Sequence, residues 1–199
     1  MTAESVLNSS LCVSIIVYNV PVVVTGIHMG NVGLYDFAIH WFDIQTAFWQ
    51  GQDPQRVCAI ATPFPGQTMK PPMVAQVTID YGDSQATMSF NGHVTHGQKD
   101  ETTLCGTAGT LRSTGPSLSD QKVTLHTKAG EARPHLQGTW FENGFQGAMC
   151  ELLCAIEENR EPENGARENL RSLALCFAAV QSANEGGTWK RPGEVVQLD

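Results

Sequence analysis

The sequence predicts an α+β fold, an open and mainly antiparallel sheet with helices packed on one face. Three segments carry this prediction. An apolar stretch with helical spacing runs from about residue 34 to residue 50, alternating apolar and polar residues fill much of 73–140, and helical spacing returns from residue 145. Helices and half-apolar strands bury their apolar sides against one another, so the second face of the sheet is left to solvent or to a partner subunit.

The composition narrows the class of protein. With 199 residues, 41% of them hydrophobic and 16% charged, the chain fits one globular domain, or one domain and an arm. Its formal net charge of -8, without a compensating basic cluster, argues against binding to nucleic acid or to anionic membranes. The apolar segment 11–24 has no basic flank and is interrupted by Asn19 and Pro21, so we predict neither a signal peptide nor a membrane span.

Residues 1–33 are predicted to form an N-terminal arm or strands, ahead of a domain that occupies residues 34–199. Segments 11–18 and 21–25 are rich in Val and Ile, which indicates strands joined by a turn or a bulged hairpin. The glycines that follow are spaced G-x-x-x-G-x-x-G, whereas a dinucleotide-binding loop has G-x-G-x-x-G. We therefore expect a flexible lead into the first helix and not a cofactor loop.

The central part of the chain is predicted to be sheet. A strand over 56–62 leads into a proline-rich loop. The alternation from residue 73 to residue 90, with a turn at Gly82-Asp83, indicates a hairpin with one apolar face. Further strands are predicted around 102–105, 110–113, 122–128 and 136–140.

Two helices are predicted near the end of the chain. Apolar residues keep helical spacing from Phe145 to Ile156, and Asn164 can cap a second helix that ends before Gly186. Both helices have one apolar stripe, so together with the first helix they are expected to cover one face of the sheet.

The cysteines and two histidines are predicted to be structural. We expect the six cysteines to be reduced and buried, which favours a cytoplasmic protein. Cys150 and Cys154 are four residues apart but lack further metal ligands at a suitable spacing. His93 and His96 would point to opposite faces of a strand, so we expect them to be solvated or hydrogen-bonded.

The first helix contains the candidate site. Asp36, His40 and Asp43 follow one another at spacings of four and three, which places them on one side of an α-helix. The other positions are almost all apolar, so the helix is expected to be buried, with a carboxylate and an imidazole side by side. These groups are either a site or polar residues that hydrogen-bond to one another and to nearby loops.

Several motifs carry a family likeness. They are D-x-x-x-H-W-x-D from Asp36 to Asp43, segments 106–112 and 140–149, and a closing helix pair within 155–173. In this order, from about residue 34 to the C-terminus, they resemble the C-terminal domain of the glucose-fructose oxidoreductase / inositol dehydrogenase family, Gfo/Idh/MocA.

The resemblance implies a role in oxidoreduction. In this family the C-terminal α+β domain supplies substrate contacts and often the oligomer surface through its open sheet, while an N-terminal Rossmann domain binds NAD or NADP. The resemblance implies that His40 is the general acid or base at a hydroxyl of a sugar or cyclitol, and that Asp36 orients the substrate or the imidazole. Asp43 is expected to be a structural partner.

Two departures from the family limit what the chain does alone. The Glu-Lys-Pro element is absent, and no segment resembles the Rossmann half. We therefore expect a fragment, or a stand-alone domain that needs a Rossmann-bearing chain, with no tight binding of NAD or NADP. The alternatives are a non-catalytic sugar-binding or oligomerisation module, and a metal-dependent hydrolase using His28, His40 and an aspartate, a spacing that matches no recognised ligand set.

Overall fold

The computed structural model describes residues 12–18, 33–49, 52–68 and 70–195. Within these residues eight strands form one sheet in the order β2-β3-β4-β1-β5-β6-β7-β8. The strands are β1 (Cys12–Tyr18), β2 (Arg56–Thr62), β3 (Val74–Asp80), β4 (Gln85–Asn91), β5 (Lys99–Gly106), β6 (Gly109–Ser117), β7 (Asp120–Thr127) and β8 (Gly130–Ala132).

Strand β1 lies in the middle of this sheet. It pairs in parallel with β4 and antiparallel with β5, whereas the other neighbours are all antiparallel. The strand predicted from the Val and Ile residues of segment 11–18 is therefore confirmed. The predicted strand at 21–25 and the glycine-rich turn after it lie outside the described residues.

The helical elements comprise a π-helical turn, Gly33–Phe37, and four α-helices. The helices are α1 (Ile39–Phe48), α2 (Trp140–Glu158), α3 (Ala166–Asn184) and α4 (Pro192–Val195). Trp41 of α1 packs on Phe90 of β4, with ring centroids 5.8 Å apart, and the Ser182 hydroxyl of α3 accepts a hydrogen bond from the Ala59 amide of β2. The predicted fold class, an open and mainly antiparallel sheet with helices on one face, is confirmed.

The core lies between that face and the helices α1 and α3. Alternation along the strands turns Val13, Ile15 and Val17 of β1 inward, beside Met88 and Phe90 of β4. The opposite face is more polar. There the pairing register brings together Ser14, Thr87, Thr103 and Arg112.

Two predictions about the last third are wrong. Residues 136–140 form no strand; residues 136–139 are a loop, and Trp140 begins α2. Asn164 does not cap α3, because the N-cap position is Gly165, and the Asn164 side-chain amide instead donates to the carbonyl oxygen of Ala148 at 3.1 Å. A few apolar residues bounded by turn residues fit a strand or a loop equally well, which explains the first error.

Helix α2 contributes little to the core. Ala155 is its one buried residue, and its apolar side chains are exposed, among them Phe141, Phe145 and Ile156. The expectation that α2 helps to cover the sheet is therefore not met. The buried helical residues belong to α1 and α3, which pack against each other.

The cysteines differ in their surroundings, although all six are free. Cys176 is buried, as predicted, and burial raises the pKa of its thiol to about 12. Cys58 is half-buried, and four others are exposed, so the prediction of buried cysteines is wrong for Cys12, Cys105, Cys150 and Cys154. Cys12 and Cys105 face each other across β1 and β5.

None of the helices in the described residues has the length and apolar character needed to cross a membrane.

Candidate functional site

Asp36 and His40 lie on the outer side of the first helical segment. Both residues are exposed, whereas Trp41 and Phe42 beside them are buried against the sheet. The ring of His40 meets the ring of Trp41 edge-on, with centroids 6.2 Å apart. The buried side of α1 thus fixes the backbone that carries His40, while the imidazole itself faces outward.

The expectation that Asp36 and His40 are buried side by side is wrong. Within the described residues, neither side chain has a hydrogen bond or an ion pair. Asp36 belongs to a π-helical turn, where the hydrogen bonds join residues five apart and positions four apart no longer stack as they do on an α-helix. The two groups share an exposed region but do not touch.

Asp43 joins α1 to α3. Its Oδ1 accepts a hydrogen bond of 2.7 Å from the Ser172 hydroxyl, and its backbone oxygen accepts one of 2.9 Å from the Thr46 hydroxyl. The two hydroxyls are themselves 2.9 Å apart. Ser172 is fully buried, so this contact is part of the packing between helices, as expected for a structural residue.

A cavity that the sequence did not predict lies beside α1. Its volume is about 410 Å³, and its walls come from α1, from strands β5 and β6, from the turn between β6 and β7, and from the loop before α2. Asp100 of β5 lines this cavity and is 8% exposed. The alternation along β5 indicates that Asp100 is buried. Asp100, Thr102 and Leu104 share one face of this strand, and that face points to the core.

Gln121 holds Asp100 in place. Its side-chain amide donates to Asp100 Oδ1 at 3.2 Å and to the Ser117 carbonyl oxygen at 2.7 Å. Its own oxygen accepts a hydrogen bond of 2.6 Å from the Ser113 hydroxyl. Asp100 Oδ2, by contrast, has no hydrogen-bond partner among the described residues.

The stability of the protein is expected to fall between about pH 4 and pH 6 because of Asp100. Burial raises the pKa of this carboxyl to about 6, whereas an unfolded aspartate titrates near about pH 3.9. In this window the folded chain binds more protons than the unfolded chain, so the free energy of unfolding decreases as the pH rises. Allowing for solvent in the cavity, we expect a loss of about 1–2 kcal/mol, which Asp100→Asn removes.

Urea unfolding of the wild type and of Asp100→Asn at pH 4.5 and pH 7 measures this effect. A matched control is Asp83→Asn, because a hydrogen bond from Gln52 lowers the pKa of Asp83 and the contribution of that carboxyl to stability has the opposite sign. If the stability difference between wild type and Asp100→Asn is the same at both pH values, Asp100 does not titrate as described.

The other candidate residues do not assemble into a metal site. No group of three or more His, Cys, Asp or Glu side chains suited to a metal ion occurs in the described ranges. His93 and His96 are exposed, and the His93 ring stacks on Phe64 at 3.6 Å between centroids. His28, part of the hydrolase alternative, lies outside the described residues.

The part of the chain that the structure describes contains no nucleotide-binding βαβ unit. A nucleotide-binding βαβ unit needs parallel strands joined by a helix, with a glycine-rich turn at the helix N-terminus. The one parallel pair in the described sheet is β1 with β4, and two antiparallel strands, β2 and β3, intervene between them in sequence.

Comparison with known proteins identifies the domain type. The sequence matches the family model described as "Oxidoreductase family, C-terminal alpha/beta domain" over residues 29–190. Among curated protein sequences none matches.

Solved structures share the fold at low sequence identity. An oxidoreductase from Agrobacterium radiobacter in complex with NAD+, L-tartaric acid and magnesium has a TM-score of 0.79 at 14% identity, over 97% of this chain and 60% of that chain. The WlbA dehydrogenase from Bordetella pertussis, in complex with NADH and UDP-GlcNAcA, has a TM-score of 0.70 at 15% identity, over 98% and 57%. An aldose-aldose oxidoreductase from Caulobacter crescentus complexed with glycerol has a TM-score of 0.71 at 16% identity, over 94% and 57%.

The chain thus spans 57% to 60% of the length of these three structures. The family match covers most of the chain, and the described sheet and helices agree with it. The protein belongs to the Gfo/Idh/MocA oxidoreductase family, and it matches the family's C-terminal α/β domain over residues 29–190.

Proposed function

We propose that this chain is the substrate-binding half of an NAD(P)-dependent oxidoreductase that acts on a secondary alcohol of a sugar or cyclitol. The observation that carries the proposal is the outward placement of Asp36 and His40 on a helix whose other side is fixed in the core. Membership of the family supports it. So do the structural relatives, two of which were solved with NAD+ or NADH and all three with hydroxylated ligands.

His40 is proposed to be the proton acceptor or donor. Oxidation of a secondary alcohol removes a proton from oxygen while a hydride leaves carbon, and an imidazole can take that proton near neutral pH. His40 is exposed, so a substrate hydroxyl can reach it from outside the domain. Asp36 is proposed to orient the substrate or to position the imidazole once a substrate or a partner covers this surface.

The dinucleotide is proposed to bind to another part of the complete enzyme. Residues 34–199 would then be the substrate and oligomerisation domain, and residues 1–33 an N-terminal arm or strands, of which β1 lies inside the domain's sheet. The chain by itself is expected to lack dehydrogenase activity. We also propose that the open face of the sheet, the side that carries Ser14, Thr87, Thr103 and Arg112, contacts another copy of the chain.

A non-catalytic sugar-binding or oligomerisation module is the second candidate. The observation in its favour is that Asp36 and His40 do not contact each other in the described part of the chain.

Calorimetric titration of the purified chain with NADH and NADPH tests the proposal that the dinucleotide binds to another part of the complete enzyme. We expect no saturable heat up to millimolar nucleotide, because the described residues provide no βαβ unit for the pyrophosphate. Tight binding of either nucleotide would show that this chain holds the cofactor, and would overturn the proposal that the cofactor binds elsewhere.

A further inference from the structure

Two exposed cysteines face each other in the middle of the sheet. Cys12 begins β1 and is directly opposite Cys105 of β5 in the antiparallel register, and both thiols are free and exposed. They lie on the open face, because Cys12 is two residues before Ser14 and Cys105 is two residues after Thr103. The register therefore brings two thiols together on the side of the sheet that faces away from the helices.

The backbone spacing of this pair suits a disulfide. Residues directly opposite in an antiparallel pair have Cα atoms, and likewise Cβ atoms, about 4.5–5.5 Å apart. A disulfide needs a Cα separation of about 4.4–6.8 Å and a Cβ separation of about 3.5–4.5 Å. The Cα atoms thus fit already, and the Cβ atoms must approach by up to about 1 Å. Cys12 is the first residue of β1 and Cys105 the last but one of β5, so this adjustment falls on strand ends.

A small oxidant dissolved in water can reach the pair. Cys12 lines a surface cavity of about 500 Å³, whose other walls come from the ends of β2 and β3, from the turn between β3 and β4, and from Trp189. Cys105 is exposed in its own right. Oxidation of cysteine requires an accessible thiol, and both members of the pair meet this condition.

The other four cysteines are less suited to form a disulfide. Cys176 is buried, and Cys58 is half-buried and donates to the Gly187 carbonyl oxygen at 3.0 Å. Cys150 and Cys154 are exposed but stand four residues apart on α2. At that spacing a continuous helix holds the Cβ atoms about 5–6 Å apart, which exceeds the separation that a disulfide needs. The cross-strand pair is therefore expected to oxidise first.

We propose that Cys12 and Cys105 form a reversible disulfide when the protein meets hydrogen peroxide. One thiol loses its proton, and the thiolate attacks a peroxide oxygen; the O–O bond breaks, giving a sulfenic acid and hydroxide, which takes up that proton. The other thiol then attacks the sulfenic sulfur, so that the S–S bond forms, the S–O bond breaks and a second water leaves. The two thiols lose two electrons, which reduce the peroxide to two waters. A dithiol reductant reverses the bond by thiol–disulfide exchange.

The bond ties the central strand of the sheet to its neighbour. In the described sheet β1 separates β2, β3 and β4 from the four strands β5 to β8, and the bond joins residues more than ninety positions apart. A cross-link over so long a loop restricts the unfolded chain strongly. The oxidised protein is therefore expected to unfold at a urea concentration about 1–2 M higher than the reduced protein. This inference does not rest on the proposed function, since neither cysteine belongs to the site at Asp36 and His40.

Peptide mapping of the full chain after treatment with hydrogen peroxide tests the proposal. The reduced, folded protein is oxidised, its remaining thiols are alkylated in urea, and the chain is digested with trypsin. Cleavage after Arg56, Lys99 and Arg112 leaves Cys12 as the one cysteine of peptide 1–56 and Cys105 as the one cysteine of peptide 100–112. We expect these two peptides to be linked, two of the six thiols to be lost, and the urea midpoint to rise. Dithiothreitol should reverse all three changes.

Single variants separate this pair from the other cysteines. Cys12→Ser and Cys105→Ser should each abolish the linked peptides and the rise in urea midpoint, whereas Cys154→Ser, which removes an exposed cysteine of α2, should retain both. Circular dichroism of the reduced variants checks that they are folded, and the map of the wild type is decisive without them.

Four results would overturn the proposal. The first is a wild-type map without the linked peptides after the exposed thiols have been oxidised. The second is a bond between Cys150 and Cys154 that forms before the cross-strand bond. The third is a covalent dimer on a non-reducing gel, joined through Cys12 or Cys105. The last is a linked product whose urea midpoint is not raised, because such a bond would not belong to the folded sheet.

Discussion

In an assembly that supplies the dinucleotide-binding half, His40→Ala is expected to lower kcat/KM for polyol oxidation about 10²- to 10⁴-fold. This range is typical of the loss of a positioned acid or base. Both kcat and kcat/KM should decrease, because the imidazole is proposed to act on the proton that moves in the transition state. Steady-state oxidation of a sugar or cyclitol at saturating NAD or NADP measures the effect.

Asp36→Asn should have a smaller effect, about tenfold, because Asp36 is proposed to orient the substrate or the imidazole and not to take the proton. The control is His96→Ala, which removes another exposed histidine. His96 lies in the loop between β4 and β5. This variant should leave both constants within about twofold. If His40→Ala keeps the wild-type kcat/KM, His40 is not the acid or base.

The second large effect concerns the packing that supports His40. Phe42→Ala is expected to lower the free energy of unfolding by about 3–5 kcal/mol, because Phe42 is fully buried and its removal leaves a cavity between α1 and the sheet. Urea denaturation followed by circular dichroism measures the difference. A loss of this size is a large fraction of the stability of a typical domain.

Phe141→Ala is the matched control for that change. Phe141 lies on α2 and is 60% exposed, so its removal should cost less than about 1 kcal/mol. Equal losses in the two variants would mean that α2 is packed against the rest of the domain, contrary to the arrangement described above.

The hairpin of β3 and β4 was predictable from sequence because local information determines it. Apolar residues alternate on both strands, and turn residues separate them at Gly82-Asp83. The position of β1 was not predictable. Its strand character follows from Val and Ile, but its pairing with β4 joins residues more than seventy positions apart, and no local pattern specifies such a contact.

The candidate site, too, was predictable from the sequence only in part. Spacing identified Asp36, His40 and Asp43, and the structural role of Asp43 agrees with its bond to Ser172. The exposure of Asp36 and His40 was missed, because a helix with almost all its other positions apolar was expected to be buried on every side, whereas α1 buries Trp41 and Phe42 and leaves His40 outside. Asp36 does not stack on His40 because it lies in a π-helical turn.

Asp100 was missed for a different reason. It stands between Lys99 and Glu101. Three consecutive charged residues suggest a segment that is exposed to solvent. The burial of Asp100 depends on α1 and on Gln121 from β7, both of which meet β5 only in the folded chain. The alternation that places Asp100 on the same face as Leu104 was the one local indication.

The central claim, that His40 meets the hydroxyl of a polyol, is tested most directly by NMR of the histidine side chains. In the purified chain labelled with ¹⁵N at the imidazole nitrogens, titration with myo-inositol or glucose should shift the ring signals of His40, assigned through His40→Gln. The signals of His96 should stay fixed. Unchanged His40 signals at polyol concentrations that saturate turnover of the assembled enzyme would contradict the account.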